Sequence, residues 1–130
     1  MIDFFYSVNH KELNIMDEKT RLRQLELQTG LYGMWDNDNG VFSYFFYPDT
    51  LDLLIGGLPI GNFKYEAFIK PDDDNPYLTI YNDKHPSGDT QVKEYKIVEI
   101  NTKTGILKLL NDFDVELNFH QRKSGFHKQP

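Results

Sequence analysis

The sequence predicts an all-β fold: a single antiparallel up-and-down barrel of about eight strands with one N-terminal α-helix. Three observations carry this. After Gly30, short aromatic and β-branched runs alternate with loops rich in Asn, Asp, Gly and Pro, the spacing of an all-β domain. Several runs alternate with a period of two, the pattern of a sheet wet on one face and buried on the other. Most links between runs are too short for a parallel crossover, which needs a dozen or more residues. An eight-stranded meander leaves long edges unless it closes, and closure removes them. A β-sandwich competes, but the links read as successive hairpins rather than Greek-key crossings.

The helix is expected over residues 17–28. DEKTRLRQLELQ is built of straight-chain helix formers without Gly or Pro,. Asp17 suits the N-cap, Thr29-Gly30 supplies a stop, and Leu22 and Leu25, with Leu13 or Met16, offer one modest apolar stripe,. Strands are expected over residues 31–36, 41–47, 50–55, 63–70, 77–82, 91–101, 105–110 and 113–121. In the last, Phe113, Val115, Leu117 and Phe119 share one face and Asp114, Glu116, Asn118 and His120 the other. Phe63, Tyr65, Ala67 and Ile69 alternate with Lys64, Glu66, Phe68 and Lys70, and Leu78 and Ile80 with Tyr77, Thr79 and Tyr81. Residues 41–47 are apolar on both faces, so either the helix covers their outer side or that side is a contact surface. The expected organisation is an arm over 1–16, helix plus barrel over 17–122, and a flexible tail over 123–130.

Composition bounds the function. A chain of 130 residues makes one ordinary domain,. Fourteen Lys and Arg against twenty Asp and Glu leave a net charge of −6, without the basic excess that nucleic-acid binding needs. No cysteine is present, which excludes disulfides and thiolate chemistry. No apolar run approaches the length of a membrane helix. Met1 to Ser7 has no basic start and an acid at position 3, unlike a secretory signal, so a cytoplasmic location is expected. The arm carries Ile2, Phe4, Phe5 and Tyr6 and can pair with an edge strand or a second copy, which makes a homodimer conceivable.

The helix delivers the chain to Leu31-Tyr32-Gly33-Met34-Trp35. Gly-x-Trp on the first strand, just after a short helix, resembles the opening motif of the lipocalin-like barrels of the calycin superfamily. The resemblance implies that Gly33 and Trp35 are structural, that Trp35 plugs the closed end, and that an arginine from the end of the last strand lies across it. Arg122 occupies that position as a cation–π partner, although alternation sets it opposite to Phe119 unless the strand ends or bulges. The chain is shorter than a full-length lipocalin, and no helix pattern follows the last strand. It also lacks the two-helix lid of fatty-acid-binding proteins. The pocket mouth is therefore expected to be open or loop-covered, with Gly56 to Gly61 as the most mobile stretch.

Candidates for chemistry are few. Residues 36–40, DNDNG, have the glycine fifth and Tyr47 twelfth, which misses the calcium-loop pattern,; Asn39-Gly40 reads as a hairpin turn. Asp72, Asp73 and Asp74 lie between two prolines as a solvated turn, and adjacent carboxylates on an extended loop do not converge on a cation. His10, His85, His120 and His127 have no metal-ligand spacing. No serine sits in a glycine elbow and no loop can cradle phosphate. Asp52 and Glu66 are the carboxylates nearest to a buried pair, and alternation turns Glu66 outward. No catalytic residue, metal or cofactor is expected.

Nineteen aromatics either line a pocket or fill the barrel. The first reading is a non-catalytic protein holding a small apolar or aromatic molecule, lined by Tyr65, Ala67, Leu78, Ile80, Val115, Leu117 and Phe119, with Trp35 closing the base. The second is a protein-interaction module, an inhibitor, immunity-type or assembly partner with a filled core. It would use Phe42, Tyr44 and Phe46 with Asp72, Asp73 and Asp74. Residues 32–75 carry eight carboxylates against two lysines, so the whole net charge lies there, where it can steer a basic partner or simply aid solubility.

Overall fold

The computed structural model describes residues 18–83 and 88–122. Helix α1 covers residues 18–31. Eight strands follow: β1 (Gly33–Asn37), β2 (Phe42–Phe46), β3 (Thr50–Ile55), β4 (Leu58–Ile69), β5 (Pro76–Asn82), β6 (Gln91–Asn101), β7 (Ile106–Leu110) and β8 (Glu116–Gln121). Each strand pairs antiparallel with the next, and β8 returns to β1, so the sheet closes into a barrel. The expected arm, the Asp17 cap, Leu13, Met16, His10, His85, His127 and the tail lie outside the described residues.

α1 runs past the expected stop. Thr29 Oγ1 donates to Leu25 O at 2.9 Å, and the extra turn carries Leu31 into the core. The buried face is Leu27 and Leu31, one turn apart, whereas Leu22 and Leu25 are more than half exposed; the expected stripe is on the wrong side. The helix lies across one end of the barrel. Arg23 Nη1 meets Asp74 Oδ1 at 2.7 Å. Gln28 Nε2 donates to Pro48 O at 2.9 Å and to Tyr65 Oη at 2.8 Å. Gly30 sits against Ile100 and Thr102. Three loops are thereby roofed over, and this is the closed end.

Three further expectations are corrected. Phe42, Tyr44 and Phe46 do not face a partner: β2 registers against Leu51 and Leu53 on β3, which puts Tyr44 and Phe46 in the core and packs Phe42 against it. Ser43, Phe45 and Tyr47 are the outward members. Phe113 and Val115 are 86% and 51% exposed, because the alternation that reads as one strand is broken by a turn. Asn111 Oδ1 accepts from the amides of Phe113 and Val115 at 2.8 and 3.0 Å, Asp114 takes a φ of 60°, and β8 starts only at Glu116. Finally, the loop expected over residues 56–61 is a two-residue turn. Gly56 and Gly57 have φ of 61° and 82°, the positive values that a tight hairpin matching the strand twist requires, and β4 begins directly after them.

Trp35, Phe46, Leu51, Leu78, Leu107, Leu109 and Phe119 are all at most 1% exposed and fill the barrel from the closed end upward. Phe119 stacks on Tyr44 at 5.5 Å and meets Phe42 edge-on at 5.6 Å. Gly33 enters β1 at φ 108°, a conformation L residues rarely adopt, although a Cβ there would meet only Gln121 Nε2 at 3.7 Å. The penalty of Gly33→Ala is thus backbone strain rather than collision, about 1–3 kcal/mol by urea denaturation. Gly30→Ala, inside the helix, is expected to be neutral or slightly stabilising. Equal effects at the two sites would refute this account.

Candidate functional site

The other end of the barrel is not roofed by the helix. There the inward positions of five neighbouring strands leave a half-open cup of about 190 Å³. Tyr44 on β2, Leu53 on β3, Phe63 on β4 and Ile80 on β5 form its apolar walls, and Asn82, Gln91 and Lys93 stand at its lip. Strand register explains the lip. Tyr95 and Ile97 point into the core, so Lys93 and Gln91, two and four residues earlier, lie on the same inner face of β6. Lys93 pairs with Ile80 and Gln91 with Asn82 across the β5–β6 ladder.

Tyr44 is the floor. It is buried, its hydroxyl donates to Tyr95, and burial together with that neighbouring phenol pushes its pKa far above the ordinary tyrosine value. Burial likewise raises Tyr95, against the lowering effect of the bond it accepts from Tyr44. Both phenols are therefore neutral at physiological pH. Among the described residues no carboxylate forms an ion pair with Lys93.

Of the residues expected to line a pocket, only Ile80 borders the cup. Trp35, Tyr65, Ala67, Leu78 and Phe119 belong to the packed core beneath it, Leu117 is partly buried against that core, and Val115 is out on the β7–β8 loop. Tyr65 is at the closed end, where its hydroxyl donates to Tyr47 O. Burial first, with Tyr32 and Asp49 nearby, raises its pKa despite the amide bond from Gln28. Lys93, Gln91 and Asn82 escaped sequence reading. Their signal was the Gln91, Lys93, Tyr95, Ile97 alternation, in which two polar residues continue an apolar face toward the strand's open end.

A second recess, of about 320 Å³, lies on the outside where β1 meets β8, lined in part by Asp36, Ser43, His120 and Arg122. Its charges are already matched. Arg122 donates to both oxygens of Asp36 at 2.9 and 2.7 Å, Ser43 also donates to Asp36, and His120 Nδ1 lies 2.9 Å from Asp38 Oδ1. That is where the structure sets Arg122, the residue expected across Trp35; the Trp35 indole donates to Leu31 O at 2.8 Å. The acidic turn is likewise engaged within the chain. Asp73 accepts from Tyr77 at 2.7 Å, and Asp74 holds Arg23. Asp52 accepts from Tyr47 and Asn62 and Glu66 from Tyr81, all on the outer surface.

The open end is also greasy. Val41, Ile55, Leu58, Ile60, Val92, Phe113 and Val115 are all exposed by roughly half or more, and all sit on the strand ends and loops around this end. Among the described residues no three His, Asp or Glu side chains gather as a metal site, and no helix is long and apolar enough to cross a membrane. No family model, no curated protein and no solved structure matches the chain.

Proposed function

We propose that this is a lipocalin-like, non-catalytic binding protein that seats one small aromatic or apolar molecule in the cup at its open end. The observation that carries the reading is the cup itself: four apolar walls with three polar groups converging at one lip, the usual composition of a small-molecule site. Its volume limits the guest to about one ring, since a cavity of ~150 Å³ holds benzene. The depth of the barrel is filled, so the ligand is a mouth ligand rather than an enclosed one. For a guest of about ten heavy atoms at roughly 0.4–0.6 kcal/mol per atom, the affinity is about 0.05–1 mM.

Leu53→Trp tests it. The larger ring occupies the cup, so ligand-detected NMR with phenylacetate and phenylacetamide is expected to show binding to the wild type and none to the variant, with the fold retained by circular dichroism. Undiminished binding to the variant would move the site elsewhere.

The apolar rim favours a second reading, contact with another protein through the same end. Sedimentation over a concentration series checks its simplest form, a second copy. Self-association that uses the rim disappears in the Leu58→Asp, Phe113→Asp double variant.

A further inference from the structure

We infer that the cup selects monoanionic guests, small aromatic carboxylates, through Lys93; this rests on the cup being a binding site. Inward polarity on β6 is unusual at this position. From Tyr95 onward the same face is core, and a lysine that served only solubility would gain nothing from the inner register. Instead its ammonium belongs to the lip of an apolar cup, two residues above a buried tyrosine, and across the ladder from Ile80. Gln91 adds a carboxamide donor on the same lip. A planar ring against Tyr44, Leu53, Phe63 and Ile80 then points its substituent at one cation and one amide.

The charge count selects the class. One lysine matches one negative charge, while the chain as a whole carries −6. A phosphate dianion would meet too little local positive charge to offset repulsion from the rest of the molecule, whereas a carboxylate is neutralised by the one ammonium. A cationic guest would place like charges together at the lip.

The test is a matched series on the intact chain: phenylacetate, phenylacetamide and phenethylamine, with binding measured by ligand-detected NMR and checked by competition. Phenylacetate is expected to bind about two- to fivefold tighter than the amide, the upper part of the range of an exposed ion pair, and the amine weakest. Lys93→Met is expected to level acid and amide, while Lys93→Arg keeps the preference; unfolding midpoints of both variants report that the fold is intact. If acid and amide bind the wild type equally and compete for the same cup, the anion inference falls and the binding reading stands. If no member of the series binds, the cup is not a site and both fall.

Discussion

Trp35→Ala is expected to cost about 3–5 kcal/mol, a large part of the stability of an ordinary domain, and to lower the unfolding midpoint by roughly 10–20 °C. Trp35 is fully buried at the junction between α1 and β1, and truncation removes the largest side chain of the core. A second loss accompanies the cavity. The indole donates to the carbonyl of Leu31, the last residue of α1, whose oxygen has no partner inside the helix. Trp35→Phe separates the two losses. It keeps an aromatic plug but leaves that carbonyl unpaired, so a smaller penalty of about 1–3 kcal/mol is expected. Because Trp35 is the sole tryptophan, its emission reports directly on the site: blue-shifted when folded, red-shifted on denaturation. A folded-state emission like that of a water-exposed indole, or an alanine variant as stable as the wild type, would refute the plug.

The barrel was legible because its information is local. Each run of alternating residues between turn formers became a strand, and the short links left antiparallel pairing as the only option. The errors fall where a local pattern was overruled by something distant or by a side chain. Phe113 and Val115 continue the alternation of Leu117 and Phe119, but Asn111 captures their amides in a turn and β8 starts only at Glu116. Leu22 and Leu25 look like the helix's apolar stripe, but which face is buried depends on how three distant loops hold α1 through Arg23, Gln28 and Gly30, and that docking turns Leu27 and Leu31 onto the core. Phe42, Tyr44 and Phe46 against Ser43, Phe45 and Tyr47 could not be sorted by hydrophobicity, since both sets are aromatic; only the register with β3 decides. The cup was hidden for a related reason. Apolar inward residues are the ones that pack tightest, whereas the open space lies where inward residues turn polar, at Asn82, Gln91 and Lys93.

Arg122→Ala is expected to loosen the one seam that must form for the sheet to close, and to do so in a pH-dependent way. β1 and β8 share only three paired positions, Trp35 with Gln121, Asp36 with His120 and Asn37 with Phe119. Side chains reinforce this short ladder across more than eighty residues of sequence: Arg122 grips Asp36 with two bonds, and Asn37 Nδ2 donates to Asn118 O at 3.3 Å. Asp36 is 18% exposed and Arg122 37%, so the pair falls between an exposed ion pair and a buried one, and its loss is expected to cost about 1–2 kcal/mol at neutral pH. Burial acts to raise the Asp36 pKa, but hydrogen bonds from Arg122 and Ser43 and the charge of Arg122 outweigh it and hold the carboxyl below its ordinary value. A depressed carboxyl pKa stabilises the fold above the unfolded value, near about 4, and that contribution disappears as pH falls through the lower folded value. The gap between wild type and Asp36→Asn should therefore be widest near neutrality and shrink below about pH 4. In Arg122→Ala, hydrogen exchange should speed first at the Arg122-side amides of the seam and at Asp38, whose amide donates to Asn118 O at 2.8 Å, before the amides of β4 to β6. A pH-independent gap, or exchange that rises evenly around the barrel, would mean that the seam is held by the backbone ladder alone.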